Sequence, residues 1–340
     1  MRPYIYNFNQ MQVFIFMTDI CYKKVFISGG AGFIGQCLAK HFRENGSEIC
    51  GIDRYALPEF NIEQAELSHP SSWKTLLKGC DLVIHTAAVV SNALTYDETW
   101  QVNVAGTKTL LDAAVELGDT KRFVHLSSVA AMGFEHTGPI HEGLPLKTIN
   151  HPYCDTKITS EHLVLSYHAS GKIPCTIIRP ADVYGPGSKP WILTPIKELK
   201  RKTFMVPKGM FGPVYIDDLI NGIYLAANQK TGEGETFIIS GFGEVSNQEY
   251  FSYLGDMLNI KKIRSMNKPL GMVLTSILER LINLLGKTTE INPNSIKMLS
   301  RPSADYSHAK ASKLLNYQPH VSLKEGMKNC EQWLKSEGIV

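Results

Sequence analysis

One stretch limits the fold more than any other. The apolar run Lys24-Val-Phe-Ile-Ser28 leads into Gly29-Gly-Ala-Gly-Phe-Ile-Gly35, and helical spacing follows at Phe33, Ile34, Cys37, Leu38 and Phe42. This reads as a buried strand, a tight turn and a helix. Glycines at 29, 32 and 35 let the backbone turn sharply and approach a ligand closely. The first N–H groups of the following helix have no partner within it, and their dipole favours an anion such as a pyrophosphate. A strand feeding a helix in this way belongs in a parallel sheet covered on both faces.

The pattern repeats downstream. Strands are expected at 48–53, 81–85, 122–127 and 175–179, with helices at 33–45, 71–79, 97–118 and 152–170 between them. After about residue 185 the rhythm weakens, and Pro186, Pro190, Pro195, Pro207 and Pro213 punctuate the chain. A helix over 218–228, a strand over 235–240 and a helix over 247–258 follow. The reading is an α/β chain with a doubly wound parallel sheet and a smaller, interleaved C-terminal substrate lobe. Residues 1–22 form an N-terminal extension, 23–185 the cofactor-binding domain, to which parts of 214–240 return, and 186–340 mainly the lobe.

Composition narrows the function. The 340 residues are 44% hydrophobic and 20% charged with a formal net charge of +3, which is globular and too weakly basic to argue for nucleic acid. Seven cysteines without a CxxC argue against a disulfide framework or a zinc site, so no metal is expected and a reducing cytoplasm fits. The apolar stretch Met11–Phe16 is short for a membrane span and runs into Asp19. Met17 is an alternative start.

Three groups carry chemistry. Asp53 closes the second strand 18 residues after Gly35, where a carboxylate accepts both ribose hydroxyls and repels a 2′-phosphate. That favours NAD over NADP, while the adjacent Arg54 can hold a 2′-phosphate. Tyr153 and Lys157 share a helix face at i, i+4 spacing, and a nearby ammonium is expected to lower the phenol pKa and suit it to proton transfer. Ser128 lies at a strand's C-terminal end, on the rim shared with the glycine turn, and can hydrogen-bond a reacting oxygen.

With these features in order, the chain resembles the extended short-chain dehydrogenase/reductase family (the NAD-dependent epimerase/dehydratase superfamily) from about residue 23 to 336. The resemblance rests on Gly29–Gly35, Asp53, His85-Thr86-Ala87-Ala88, Asn103–Thr107, Ser127-Ser128, Tyr153-x-x-x-Lys157, Arg179-Pro180 with Tyr184-Gly185-Pro186, and Tyr215–Asp218. It implies a Rossmann-type sheet, with Tyr153 as acid/base and Lys157 binding the nicotinamide ribose. Ser128 would hold the substrate oxygen and Asn103 would support the site. Thr86, Ala87 and Ala88 would line the pyrophosphate and adenosine channel together with Phe33 and Ile34. Leu67 would lie by the adenine, where Glu66 departs from the usual Asp. Ser127, Pro180 and Val183 would lie near the nicotinamide. Family members often dimerise through helices corresponding to 97–118 and 152–170, which implies a homodimer.

The substrate class is read from departures. Val129 and Ala130 follow Ser128 where dehydratases of this family carry Asp and Glu, which discounts dehydration. The apolar Gly209–Pro213 stretch stands where sugar-nucleotide enzymes usually place an Arg. Asp182 stands where they often place Asn, and unless paired it would repel a diphosphate. Residues 270–285 carry a broad apolar stripe, read first as a helix packed on the substrate lobe and alternatively as a lid or membrane-contacting helix. This segment and the 305–319 region look like the 3β-hydroxysteroid dehydrogenase-like branch. Three readings stand. The first is an NAD(P)-dependent alcohol/ketone oxidoreductase of small hydrophobic molecules, the second a nucleotide-sugar 4-epimerase, and the third a non-enzymatic NAD-binding regulator.

Overall fold

A computed structural model describes residues 20–201 and 204–340. The Met11–Phe16 stretch and the alternative start at Met17 lie outside the described residues. Ile20–Tyr22 are tied to the domain. The Ile20 amide donates to the Asn228 carbonyl at 2.7 Å, and buried Tyr22 donates to the Ala227 carbonyl at 2.8 Å.

Seven strands form one parallel sheet: β1 (Lys24–Ser28), β2 (Glu48–Asp53), β3 (Ile62–Gln64), β4 (Leu82–His85), β5 (Arg122–Leu126), β6 (Cys175–Pro180) and β11 (Thr236–Ile239). Their order is β11-β6-β5-β4-β1-β2-β3. The chain moves outward from β1 in one direction and resumes on the other side at β4. That reversal opens a crevice at the C-terminal ends of β1 and β4, where ligands bind in sheets of this kind.

Side-chain alternation gives each face its own core. Val25 and Ile27 of β1 join Leu38 and Phe42 of α1 (Phe33–Glu44). Phe26 points the other way, to Trp73, Val83, Leu110 and Val164. The second face is closed by α3 (Gly106–Leu117) and α4 (Pro152–Ala169), with α2 (Tyr96–Trp100) leading through a π-helical turn, Gln101–Ala105, into α3.

The lobe is built from short pieces. β7 (Asp182–Tyr184) pairs in parallel with β10 (Pro213–Tyr215). β9 (Met210–Phe211) pairs with β12 (Val245–Ser246), and β8 (Val206–Pro207) with β13 (Ser265–Met266). Helices α5 (Thr194–Leu199), α7 (Asn247–Met257), α8 (Lys268–Leu284) and α9 (Pro293–Leu299) belong to it. α6 (Ile216–Asn228) returns to pack on α1, and α10 (Ala309–Leu315) and α11 (Leu323–Ser336) finish the chain. Asp218 accepts the amides of His320 and Val321 at 2.8 and 3.1 Å, holding that last segment against α6.

Two expectations need correction, and one strand is additional. Residues 71–79 are not an α-helix but two short 3-10 turns, Pro70–Ser72 and Lys74–Leu77, pinned by buried Trp73 and Leu77. β3, an edge strand of three residues, is too short for periodicity to reveal. The stripe at 270–285 does not pack on the lobe. Of α8, only Gly271 and Thr275 are buried.

The glycine turn is sterically closed. A Cβ on Gly35 would stand 2.1 Å from the Gly29 carbonyl oxygen, whereas one on Gly32 would stand 3.2 Å from it. Gly35→Ala is therefore expected to lower stability by about 1–3 kcal/mol or more, read as a lower urea midpoint. Gly32→Ala should lose far less. Equal midpoints for Gly35→Ala and the wild type would remove this account of the turn.

Candidate active site

Gly29 adopts φ +75°, and a Cβ there would meet Thr86 Oγ1 at 2.6 Å and the Ala87 amide nitrogen at 2.7 Å. The turn thus lies directly on the end of β4. Thr86 locks the two together, its hydroxyl donating to the Ser28 carbonyl at 2.8 Å. Gly32 caps α1 without any side-chain hydrogen bond, and no acidic residue occupies the first turn. The N–H groups at Phe33, Ile34 and Gly35 therefore face an anion site unopposed. Phe33 and Ile34 are half-buried, with Phe33 close to Gly185 and Gly187.

Asp53 is half-buried at the end of β2. Its carboxylate accepts from the Ala31 amide at 3.1 Å and, more weakly, from Tyr55 at 3.4 Å. Two oxygens offer about four acceptor positions, so capacity remains for ribose hydroxyls. Arg54 is exposed. Leu67 is half-buried against Gly106, while Glu66 is exposed and its carbonyl accepts from Trp73 Nε1 at 2.9 Å. Ala87 and Ala88 are half-buried on the rim, and Pro180 and Val183 are buried at the ends of β6 and in β7. Ser127 is buried with its hydroxyl unpartnered. That orphaned hydroxyl, the uncapped helix and the glycine cradle fit a dinucleotide, whose pyrophosphate the start of α1 would hold and whose nicotinamide end Ser127 would meet.

The candidate catalytic residues meet beside it. Ser128 caps the 3-10 turn Val129–Met132, accepting from the Ala130 amide at 3.1 Å, and its side chain stands beside the Tyr153 phenol. A hydroxyl has two acceptor positions and one proton. With Ala130 filling one position, Ser128 can still engage Tyr153 and an incoming oxygen. Lys157 is buried, and its ammonium donates to the Leu126 carbonyl at 2.6 Å, 6.0 Å from the Tyr153 ring centre.

Here the structure corrects the expected pKa. Burial pushes the Tyr153 phenol up to about 12, against the opposing hydrogen bond from Ser128. The Lys157 ammonium does not offset this, being directed at the Leu126 carbonyl. Tyr153 therefore holds its proton at neutral pH. Burial also draws Lys157 down to about 8, partly offset by Glu161.

α4 is held by polar bonds. Asn103, in the π-helical turn, accepts from the Val89 amide at 2.9 Å and donates to Thr156 Oγ1 at 3.1 Å. It acts here as a positioning residue, joining the 89–92 loop to the helix of Tyr153. Arg179 grips Glu161 through two bonds of 2.9 and 2.6 Å. His85 is structural. Thr107 gives its proton to the Asn103 carbonyl at 2.7 Å, so His85 Nε2 donates to Thr107 at 2.8 Å and Nδ1 accepts from Ser28 at 2.6 Å. Burial lowers His85 to about 3, which keeps it neutral. His151 Nε2 faces Asn92 Oδ1 at 3.0 Å.

One feature was invisible in the sequence. Asp182 does not stand unpaired. It forms a buried ion pair with Arg301, which also donates to the Met210 carbonyl at 2.9 Å and to Tyr306 at 3.2 Å. The bridge between Ile140 and Tyr306 brings this segment alongside the loop that leads to α4. A separation of 119 residues leaves no local signal; only the rule that a buried carboxylate needs a partner pointed to it. Among the described residues, no group of three or more His, Cys, Asp or Glu is placed to hold a metal ion.

The profile of the NAD dependent epimerase/dehydratase family matches residues 25–240, and the chain belongs to that family. It is 27% identical to a 3-beta-hydroxysteroid dehydrogenase of Mycolicibacterium neoaurum, with 90% of each chain covered. It is also 27% identical to a UDP-glucuronate 4-epimerase of Thermodesulfobacterium geofontis, covering 91% of this chain and 95% of the relative. The fold matches a UDP-glucuronic acid 4-epimerase from Bacillus cereus, solved with UDP-glucuronic acid and NAD. The TM-score is 0.74 at 24% identity, with 92% and 99% of the two chains covered. The chain is thus an NAD-dependent oxidoreductase of the extended short-chain dehydrogenase/reductase type, which sets aside the non-enzymatic reading.

Two outcomes are expected. Tyr153→Phe should abolish turnover while NADH affinity, measured by fluorescence titration, stays within about twofold; wild-type turnover would remove the acid/base role. Lys157 loses its charge on passing upward through about pH 8. NADH affinity should weaken across that pH, and Lys157→Met should bind weakly with no such step. The sign for folding is opposite. The folded state holds fewer protons than the unfolded one between the lowered pKa and the ordinary lysine value of 10.5, so this group's contribution to stability rises with pH there.

Proposed function

We infer that the chain interconverts a secondary alcohol and a ketone on a small, uncharged, apolar substrate of sterol or lipid type. NAD, when bound, would supply the hydride acceptor for the alcohol carbon and the donor for the reverse reduction. Tyr153 exchanges a proton with the substrate oxygen at its hydroxyl, and Ser128 holds that oxygen. Lys157 anchors the ribose beside them, and the Asn103–Thr156 bond keeps the first turn of α4 in place.

The observation that carries the substrate class is the closed Asp182–Arg301 pair. A nucleotide diphosphate must be met by unopposed cations, because burying it uncompensated costs far more than its contacts return. Arg301 is buried with its charge answered by Asp182, and Gly209–Pro213 adds none. The Val129-Ala130 pair provides no second acid/base for elimination. Similarity to a 3-beta-hydroxysteroid dehydrogenase supports this reading. Equal similarity to a UDP-glucuronate 4-epimerase supports the second, nucleotide-sugar epimerisation.

The two give different products. With NAD and a panel of apolar secondary alcohols, 3β-hydroxysteroids included, the expected result is stoichiometric NADH and ketone, with UDP-glucuronate and UDP-glucose returned unchanged. Formation of the 4-epimer without net NADH would overturn the proposal in favour of the epimerase.

A further inference from the structure

Helix α8 is turned inside out for a surface helix. An amphipathic helix on a globular protein normally buries its large apolar side chains. Here the buried face is Gly271 and Thr275, and a Cβ on Gly271 would already stand 3.0 Å from Ile296 of α9. The large residues face outward: Val273 is 58% exposed, Ile277 51%, Leu281 57% and Leu284 82%, with Leu270 and Leu274 beside them. Steps of three and four residues place them in one stripe along about 25 Å of helix. A contiguous apolar patch of this kind marks a contact surface.

Charge identifies what it contacts. Lys261, Lys262 and Lys268 are all exposed on the approach to the helix, and no acidic residue occurs between Asp256 and Glu279. A basic cluster beside an outward apolar stripe matches an anionic bilayer surface, with acyl chains taking the stripe and lipid phosphates the cations. Among the described residues no helix is long and apolar enough to cross a membrane, and Glu279 with Arg280 breaks the apolar run of α8, so the helix would lie in the plane of the interface.

The segment after α8 ties it to the active-site rim. Glu290 accepts from Ser91 Oγ at 2.6 Å and the Asn92 amide at 2.8 Å, and Asn292 donates to the Asn92 carbonyl at 2.6 Å. Asn92 also bonds His151, which precedes Pro152 and Tyr153.

We propose that α8, with the basic segment before it, is an in-plane attachment to anionic lipid bilayers that places the Tyr153 site at the membrane surface. The attachment goes beyond the substrate reading and is measured without any substrate, so either can fail alone. The test is flotation of the full chain with vesicles of phosphatidylcholine, with and without phosphatidylglycerol. Binding is expected to the anionic vesicles and to weaken with salt. Leu274→Asp/Ile277→Asp should bind about tenfold less or worse, with NADH affinity unchanged as the sign of an intact fold. Lys261→Gln/Lys262→Gln should lose the preference for anionic lipid. Undiminished binding by the double Asp variant would overturn the proposal, as would no binding by the wild type. So would a dimer in light scattering that the double Asp variant converts to monomer, because a second copy of the chain would then cover the stripe.

Discussion

The molecule is organised around a backbone contact with no room for a side chain. Gly35 lies against the Gly29 carbonyl, and Gly29 lies against Thr86 and Ala87. Gly51 repeats the theme one strand over, where a Cβ would stand 2.0 Å from the Ile27 carbonyl oxygen. These approaches bring the start of α1, the end of β4 and the carboxylate of Asp53 to one crevice. The helix dipole, the Asp53 carboxylate and the rim holding Ser128 are then placed by the sheet rather than by flexible loops. Looser packing at the turn would leave each group intact and separate them.

The second determinant is α4, which has almost no apolar stripe of its own. Asp155, Thr156, Lys157, Ser160 and Glu161 are all buried. Each has a partner: Ile149 for Asp155, Asn103 for Thr156, Leu126 for Lys157, His125 for Ser160 and Arg179 for Glu161. Buried polar groups are costly when unpaired and directional when paired. A helix held this way has one seat, which fixes where the Tyr153 phenol stands beside Ser128.

These facts explain what could be read in advance. The strands, the glycine turn and Asp53 announce themselves within a few residues, because parallel strands are continuous apolar runs and the turn demands glycine locally. Tyr153 and Lys157 were found by their spacing, although the pKa shift was expected in the wrong direction; i, i+4 placement says nothing about whether the ammonium meets the phenol or a carbonyl. β3 and the 3-10 turns at 70–77 escaped because short elements are set by tertiary packing. The direction of the α8 stripe escaped because periodicity shows that a face is apolar, and only the neighbours show which side it faces.

The ion pair between Asp182 and Arg301 has a consequence for descent as well as for binding. Its members lie 119 residues apart yet neutralise each other in the interior. Changing either alone strands a buried charge, at roughly 3–5 kcal/mol, a large share of the stability of an ordinary domain. The two positions must therefore be inherited together or replaced together. A lineage carrying this pair is held to it by a two-step barrier, because every single change passes through a stranded charge.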